Sequence, residues 1–71
     1  MDRQRTRRAL EQAAKGQSFI NVKEVAEALG VQSETVQANY LRDLEYLPNG
    51  HSKLYLIDDV LDVIMEKKTL T

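Results

Sequence analysis

Gly30 separates two short amphipathic runs, and that division limits what the stretch from Val22 to Val36 can become. Upstream, Asn21 and Glu24 stand at the spacing of a capping box, a side-chain acceptor at the N-cap with a carboxylate three residues on. Val22, Val25, Ala26 and Leu29 then share one helical face. Glycine accepts the left-handed backbone that ends such a helix. Val31 is expected to return to the core and Ser33 to cap the next helix, read over 33–44. Its inward stripe is Val36, Tyr40, Leu41, Leu44 and Leu47, which leaves Gln32, Glu34, Thr35, Gln37, Ala38, Asn39 and Arg42 outside. Ala26 is small where a second helix crosses closely at a steep angle.

The flanking segments read less sharply. Asp2 is placed to cap a first helix reaching about Ala14, with Gly16 just beyond its end. The inward positions of that helix are few (Thr6, Ala9, Leu10, Ala13 and Ala14), so light packing and low stability are expected. Phe19-Ile20 suits a short strand. Pro48 stops the helical run before it, because the residue ahead of a proline avoids helical geometry. Asn49-Gly50 is a hairpin-turn dipeptide between Glu45-Tyr46-Leu47 and Lys53–Ile57. Asp58 is expected to cap a last helix with Val60, Leu61, Ile64 and Met65 inward, its C-terminal dipole met by Lys67 and Lys68. The expected fold is mainly α with a small β-hairpin: a basic N-terminal helix over 1–16 and a domain over 17–71.

With 71 residues there is room for one core. Cysteine is absent and His51 is the single histidine, which argues against disulfides and a zinc site. No apolar run is long enough to span a bilayer, and the arginine-rich start lacks the apolar stretch of a signal peptide, so an intracellular protein is expected. No nucleophile elbow, phosphate loop or carboxylate pair appears, so neither an enzyme nor a cofactor is expected. Asp58, Asp62 and Glu66 recur at helical spacing, but such a row is read as a solvated face rather than a cation site. His51 reads as a turn-tip phosphate donor or a plain loop residue, and Tyr40, Tyr46 and Tyr55 as core or rim residues.

Charge is unevenly placed. The net charge is −1, yet residues 1–15 carry Arg3, Arg5, Arg7, Arg8 and Lys15 against Asp2 and Glu11. Residues 16–71 carry five cations against nine carboxylates. A basic arm on an acidic body suits a protein that touches phosphate with one surface; a solubilising terminus gives the same pattern.

Two short helices joined by a glycine-containing turn form a helix-turn-helix, and the hairpin that follows makes it a winged variant. The stretch resembles the winged helix-turn-helix domains of excisionases and of the mercury-resistance-regulator (MerR) family. The resemblance rests on Val22 to Val31, Thr35-Val36, Leu47-Pro48, Lys53-Leu54-Tyr55 and Asp59-Val60, over about residues 19–66. It implies that the recognition helix enters the major groove, with Ser33, Glu34, Thr35, Gln37, Ala38 and Arg42 facing double-stranded DNA. It also implies that the wing, 48–54, lies on the backbone through Asn49, His51, Ser52 and Lys53. The sequence departs from the family in having one cation, Arg42, in that helix, and in its extra basic helix. Arg3, Arg5, Arg7 and Arg8 are therefore expected to supply phosphate contacts. The expected function is sequence-specific DNA binding, as a transcription regulator or excisionase-type factor of a mobile element in the bacterial cytoplasm or nucleoid. A homodimer on paired half-sites is the expected assembly. The rival reading keeps the fold but gives it a protein partner, as an adaptor or inhibitor module.

Overall fold

The computed structural model describes residues 3–69, without the side chains of Lys68 and Thr69. The expected cap Asp2 lies outside the described residues, as does the side chain of the dipole partner Lys68. The elements run α1 (Arg3–Ala13), β1 (Phe19–Asn21), α2 (Val22–Leu29), α3 (Ser33–Asn39), β2 (Leu47–Asn49), β3 (Ser52–Leu56) and α4 (Ile57–Thr69). The fold is mostly helical, with a three-stranded antiparallel sheet in the order β1-β3-β2 rather than a lone hairpin. Phe19 pairs with Leu56 and Asn21 with Leu54 on one side of β3, and Leu47 pairs with Leu54 and Asn49 with Ser52 on the other.

One core unites all four helices with the sheet: Leu10, Ala14, Ile20, Val25, Val36, Leu41, Tyr55, Ile57, Val60, Leu61 and Ile64 are buried together. The first helix is more deeply embedded than its sparse apolar stripe implies. α1 packs on both α2 and α4, Leu10 is 0% exposed, and Thr6 is buried beside it. Ala14 lies one residue past the helix but is still buried, and the chain then reverses through Lys15 (φ 57°) and Gly16 (φ 81°), both left-handed.

The α2–α3 junction follows the sequence at its start and departs from it afterwards. The capping box forms: the Glu24 N–H donates to Asn21 Oδ1 at 2.8 Å, and the Asn21 N–H donates to Glu24 Oε1 at 3.1 Å. Gly30 is left-handed (φ 70°), and its N–H donates to the Ala26 carbonyl at 2.9 Å. The Val31 N–H turns back to the same carbonyl at 3.1 Å, which strands the valine side chain on the rim, 40% exposed instead of in the core. Because a Cβ on Gly30 would meet nothing within 4 Å, Gly30→Ala is expected to cost only the left-handed backbone penalty. That amounts to about 1–2 kcal/mol, measurable as a lower midpoint in thermal unfolding.

Gln32, not Ser33, is the N-cap of α3, and it makes no side-chain cap hydrogen bond. The helix also stops at Asn39 instead of reaching residue 44. Val36 and Leu41 are both buried, yet five residues along a straight helix turn them roughly 140° apart. The chain therefore leaves the helix at Tyr40, and the Leu41 N–H closes on the Val36 carbonyl at 3.0 Å, swinging Leu41 inward. Arg42 consequently sits in a turn, not on a helix face.

The hairpin is also displaced from its expected register. Asn49 pairs with Ser52, so Gly50 (φ 64°) and His51 form the loop, not Asn49-Gly50. Glu45 and Tyr46 precede the strand, and Pro48 occupies an edge strand where its missing N–H costs no ladder bond. Leu47 is 53% exposed rather than inward. The Ile57 N–H donates to the Ser18 carbonyl at 3.0 Å, and Ile57 already begins α4; Asp58 thus lies in the first turn and is not the cap.

Tyr55 ties the sheet to this core. Burial, and secondarily the neighbouring Tyr46, raises its phenol pKa above the ordinary 10.0. A folded-state value above the unfolded one favours the folded state below pH 10 and loses that contribution as pH climbs through the folded value. The unfolding midpoint in denaturant is expected to fall above pH 10, and to fall less in Tyr55→Phe.

Candidate nucleic-acid interface

Pairing of β1 with β3 carries the start of α2 alongside the hairpin, and α3, packed on α2, lines the same cleft. Asn21, Val22 and Lys23, Ser33 and Gln37 of α3, and His51, Ser52 and Lys53 of the hairpin line one open cleft of about 360 Å³. Two lysines face this cleft, and none of the residues lining it is a carboxylate. On a chain with more acids than bases, two lysines along one cleft stand out, and an acidic group, Glu24, stands at its edge, where it caps Asn21. Lys53 is not free to roam: its ammonium lies 4.8 Å from the centre of the Tyr46 ring, which packs on Tyr55 with centroids 5.8 Å apart. A cation held over an aromatic face loses fewer conformations on meeting an anion than a freely rotating lysine.

Sequence-expected residues divide among several surfaces. Ser33, Gln37, His51, Ser52 and Lys53 come together in the cleft. Glu34 and Asn49 are exposed but do not line it, and Thr35 is half-buried. Ala38 and Arg42 line a different cleft, between the end of α3 and α4, shared with Glu66 and Lys67. The early helix exit at Tyr40 separates Arg42 from the α3 face it was expected to share.

Two of the four N-terminal arginines are engaged within the chain. An ion pair joins Arg3 to Asp62 at 2.8 Å, and another joins Arg7 to Asp58, with Glu11 near the same guanidinium at 3.7 Å. The acidic row of α4 is exposed, as expected of a solvated face, yet Asp58 and Asp62 also pair with cations expected to face phosphate. Arg5 and Arg8 remain exposed.

Lys23, Asn21 and Val22 are the residues that the sequence did not bring forward. Their position depends on β1–β3 pairing between residues more than thirty apart, which no local pattern encodes. Among the described residues, no group of three or more His, Cys, Asp or Glu side chains gathers as for a metal ion, and no helix is long and apolar enough to cross a membrane. Comparison with protein-family models, curated proteins and solved structures yields no match.

Proposed function

We propose that the chain is a small winged helix-turn-helix protein, of the excisionase or MerR-like kind, that binds double-stranded DNA. The observation that carries this reading is the cleft uniting α3, the start of α2 and the hairpin, with two lysines and no carboxylate along it. In this reading α3 enters the major groove. At 7 residues it is about 10 Å long, enough for a few base pairs. Gln37 offers the amide that pairs in bidentate fashion with adenine, and Ser33 a hydroxyl for either kind of base edge. Lys23 and Lys53 meet phosphates on either side, with the His51-Ser52 tip lying along the backbone. Regulation or excision of mobile DNA in the bacterial cytoplasm or nucleoid is the corresponding role.

Two lysines release few counterions, so a single copy binds weakly, with a salt slope near −2 on logarithmic axes. Fluorescence anisotropy of a labelled duplex against protein at several salt concentrations tests this. A slope of that size supports the reading; absence of binding at low salt removes it and leaves a protein-binding module of the same fold. Within the same assay, Gln37→Ala is expected to shrink discrimination between sequences by about 1–3 kcal/mol. Arg42→Ala, outside the cleft, is expected to leave affinity within about twofold of the parent, a change under 0.5 kcal/mol.

A further inference from the structure

The sheet has two unlike faces. Tyr55 points inward and is buried, while the alternating Leu54 and Leu56 of β3 point outward, beside Leu47 across one strand pair and Phe19 across the other. Among the described residues no helix covers them: Leu47 is 53% exposed and Leu56 42%. Together with Tyr46 they line an open apolar groove whose charged members are both acidic, Glu45 and Asp59. This groove shares no residue with the lysine-bearing cleft.

A second surface has the opposite character. Between α1 and α2 a notch is lined by Thr6, Ala9, Leu10, Ala28 and Leu29, with Arg5 as its one charged residue. Arg8, three residues along α1, is a near neighbour of Arg5 on the helix surface. Arg3 and Arg7 are occupied by α4, whereas among the described residues no ion pair engages Arg5, Arg8, Glu45 or Asp59. The fold thus presents an apolar groove rimmed by two carboxylates that no described cation pairs with and, on a surface with no shared lining residue, an apolar notch lined by Arg5, with Arg8 as the helical neighbour of that arginine.

We propose that the outer sheet face of one copy of this chain docks the α1–α2 edge of a second copy, head to tail. Charge selects this occupant. Sheet-to-sheet pairing about a two-fold axis sets Glu45 and Asp59 of both copies against one another, like charges around an apolar centre. Head-to-tail pairing sets them against Arg5 and Arg8 while Leu47, Leu54 and Leu56 cover the notch. Such a contact uses different patches on the two partners, so each copy keeps one free groove and one free notch and the assembly extends beyond a dimer. The cleft of Ser33, Gln37 and Lys53 stays open in every copy. Assembly of this kind needs no DNA.

Sedimentation velocity without DNA, at low salt and from micromolar to millimolar protein, tests it. The parent is expected to grow past the mass of a dimer as concentration rises, and to shrink again with added salt. Arg5→Glu/Arg8→Glu and Glu45→Lys/Asp59→Asn are each expected to stay monomeric alone, because each opposes like charges at the contact. Mixed in equal amounts they are expected to regain assembly, since the altered notch of one now matches the altered groove of the other. Leu47→Gln/Leu56→Gln alters no core residue and is expected to stay monomeric; thermal melts confirm that each variant is folded. A parent that remains monomeric at millimolar concentration overturns the proposal. So does a dimer that survives Arg5→Glu/Arg8→Glu, the mark of sheet-to-sheet pairing, or a mixture of the charge variants that fails to assemble.

Discussion

Leu10→Ala is expected to cost about 2–5 kcal/mol, the range for a large aliphatic side chain removed from a close-packed site. For a domain of this size that lowers the melting midpoint by at least about 10 °C, and the loss is a large part of the total stability available. The effect is large because Leu10 is 0% exposed and shares its core with Val25 of α2 and Leu61 of α4. An α1 that merely rests on the surface would melt on its own and leave the main transition in place. Differential scanning calorimetry separates these outcomes: one cooperative peak moved downward supports an integral helix, and an unmoved peak refutes it. Leu47→Ala, at a half-exposed position, is the control and is expected to shift stability by about 0.5 kcal/mol or less.

The second large effect is on binding. Lys23→Ala and Lys53→Ala together are expected to reduce the salt slope by about 2 and to weaken affinity for all duplex sequences alike. Each lost charge-assisted contact is worth about 1.5 kcal/mol, roughly tenfold. Neither lysine is buried, so the double variant is expected to stay folded and to lose only the exposed Lys53–Tyr46 contact, about 0.5–1 kcal/mol. Lys53→Ala alone is expected to be the more damaging, because Tyr46 already holds that ammonium in place while no aromatic ring among the described residues holds Lys23. If the double variant binds with an unchanged slope, the positive surface lies elsewhere, and exposed Arg5 and Arg8 become the next residues to replace.

What the sequence made legible is what short-range chemistry decides. Asn21 and Glu24 form their capping box because both partners lie within one turn, and Gly30 ends α2 because left-handed geometry there is a property of that residue. The inward stripe of α4 was readable for the same reason, through Val60, Leu61 and Ile64. The structure departs from local pattern where a distant partner decides. Val36 and Leu41 compete for one core, and the compromise that admits both ends α3 at Asn39. Pairing of Leu54 with Leu47 on one side and Asn21 on the other moves the hairpin loop by one residue, onto Gly50-His51. The arginines of α1 looked available for phosphate because their carboxylate partners stand more than fifty positions away. Within the candidate site, five of the expected side chains meet in the cleft, while Lys23, the second cation, becomes visible only once β1 is placed against β3.

Arg3 meets Asp62 and Arg7 meets Asp58, so advancing along α1 means retreating along α4: the two end helices lie antiparallel. During ribosomal synthesis α1 is made well before these acidic partners, 59 residues ahead for the Arg3–Asp62 pair. Through that interval Leu10 has α2 but not α4 to pack on, and the nascent segment carries a cationic, half-covered helix. Completion of α4 is what closes the domain, so a translational stall before residue 58 leaves a chain that can be told from the finished one by its susceptibility to protease within α1.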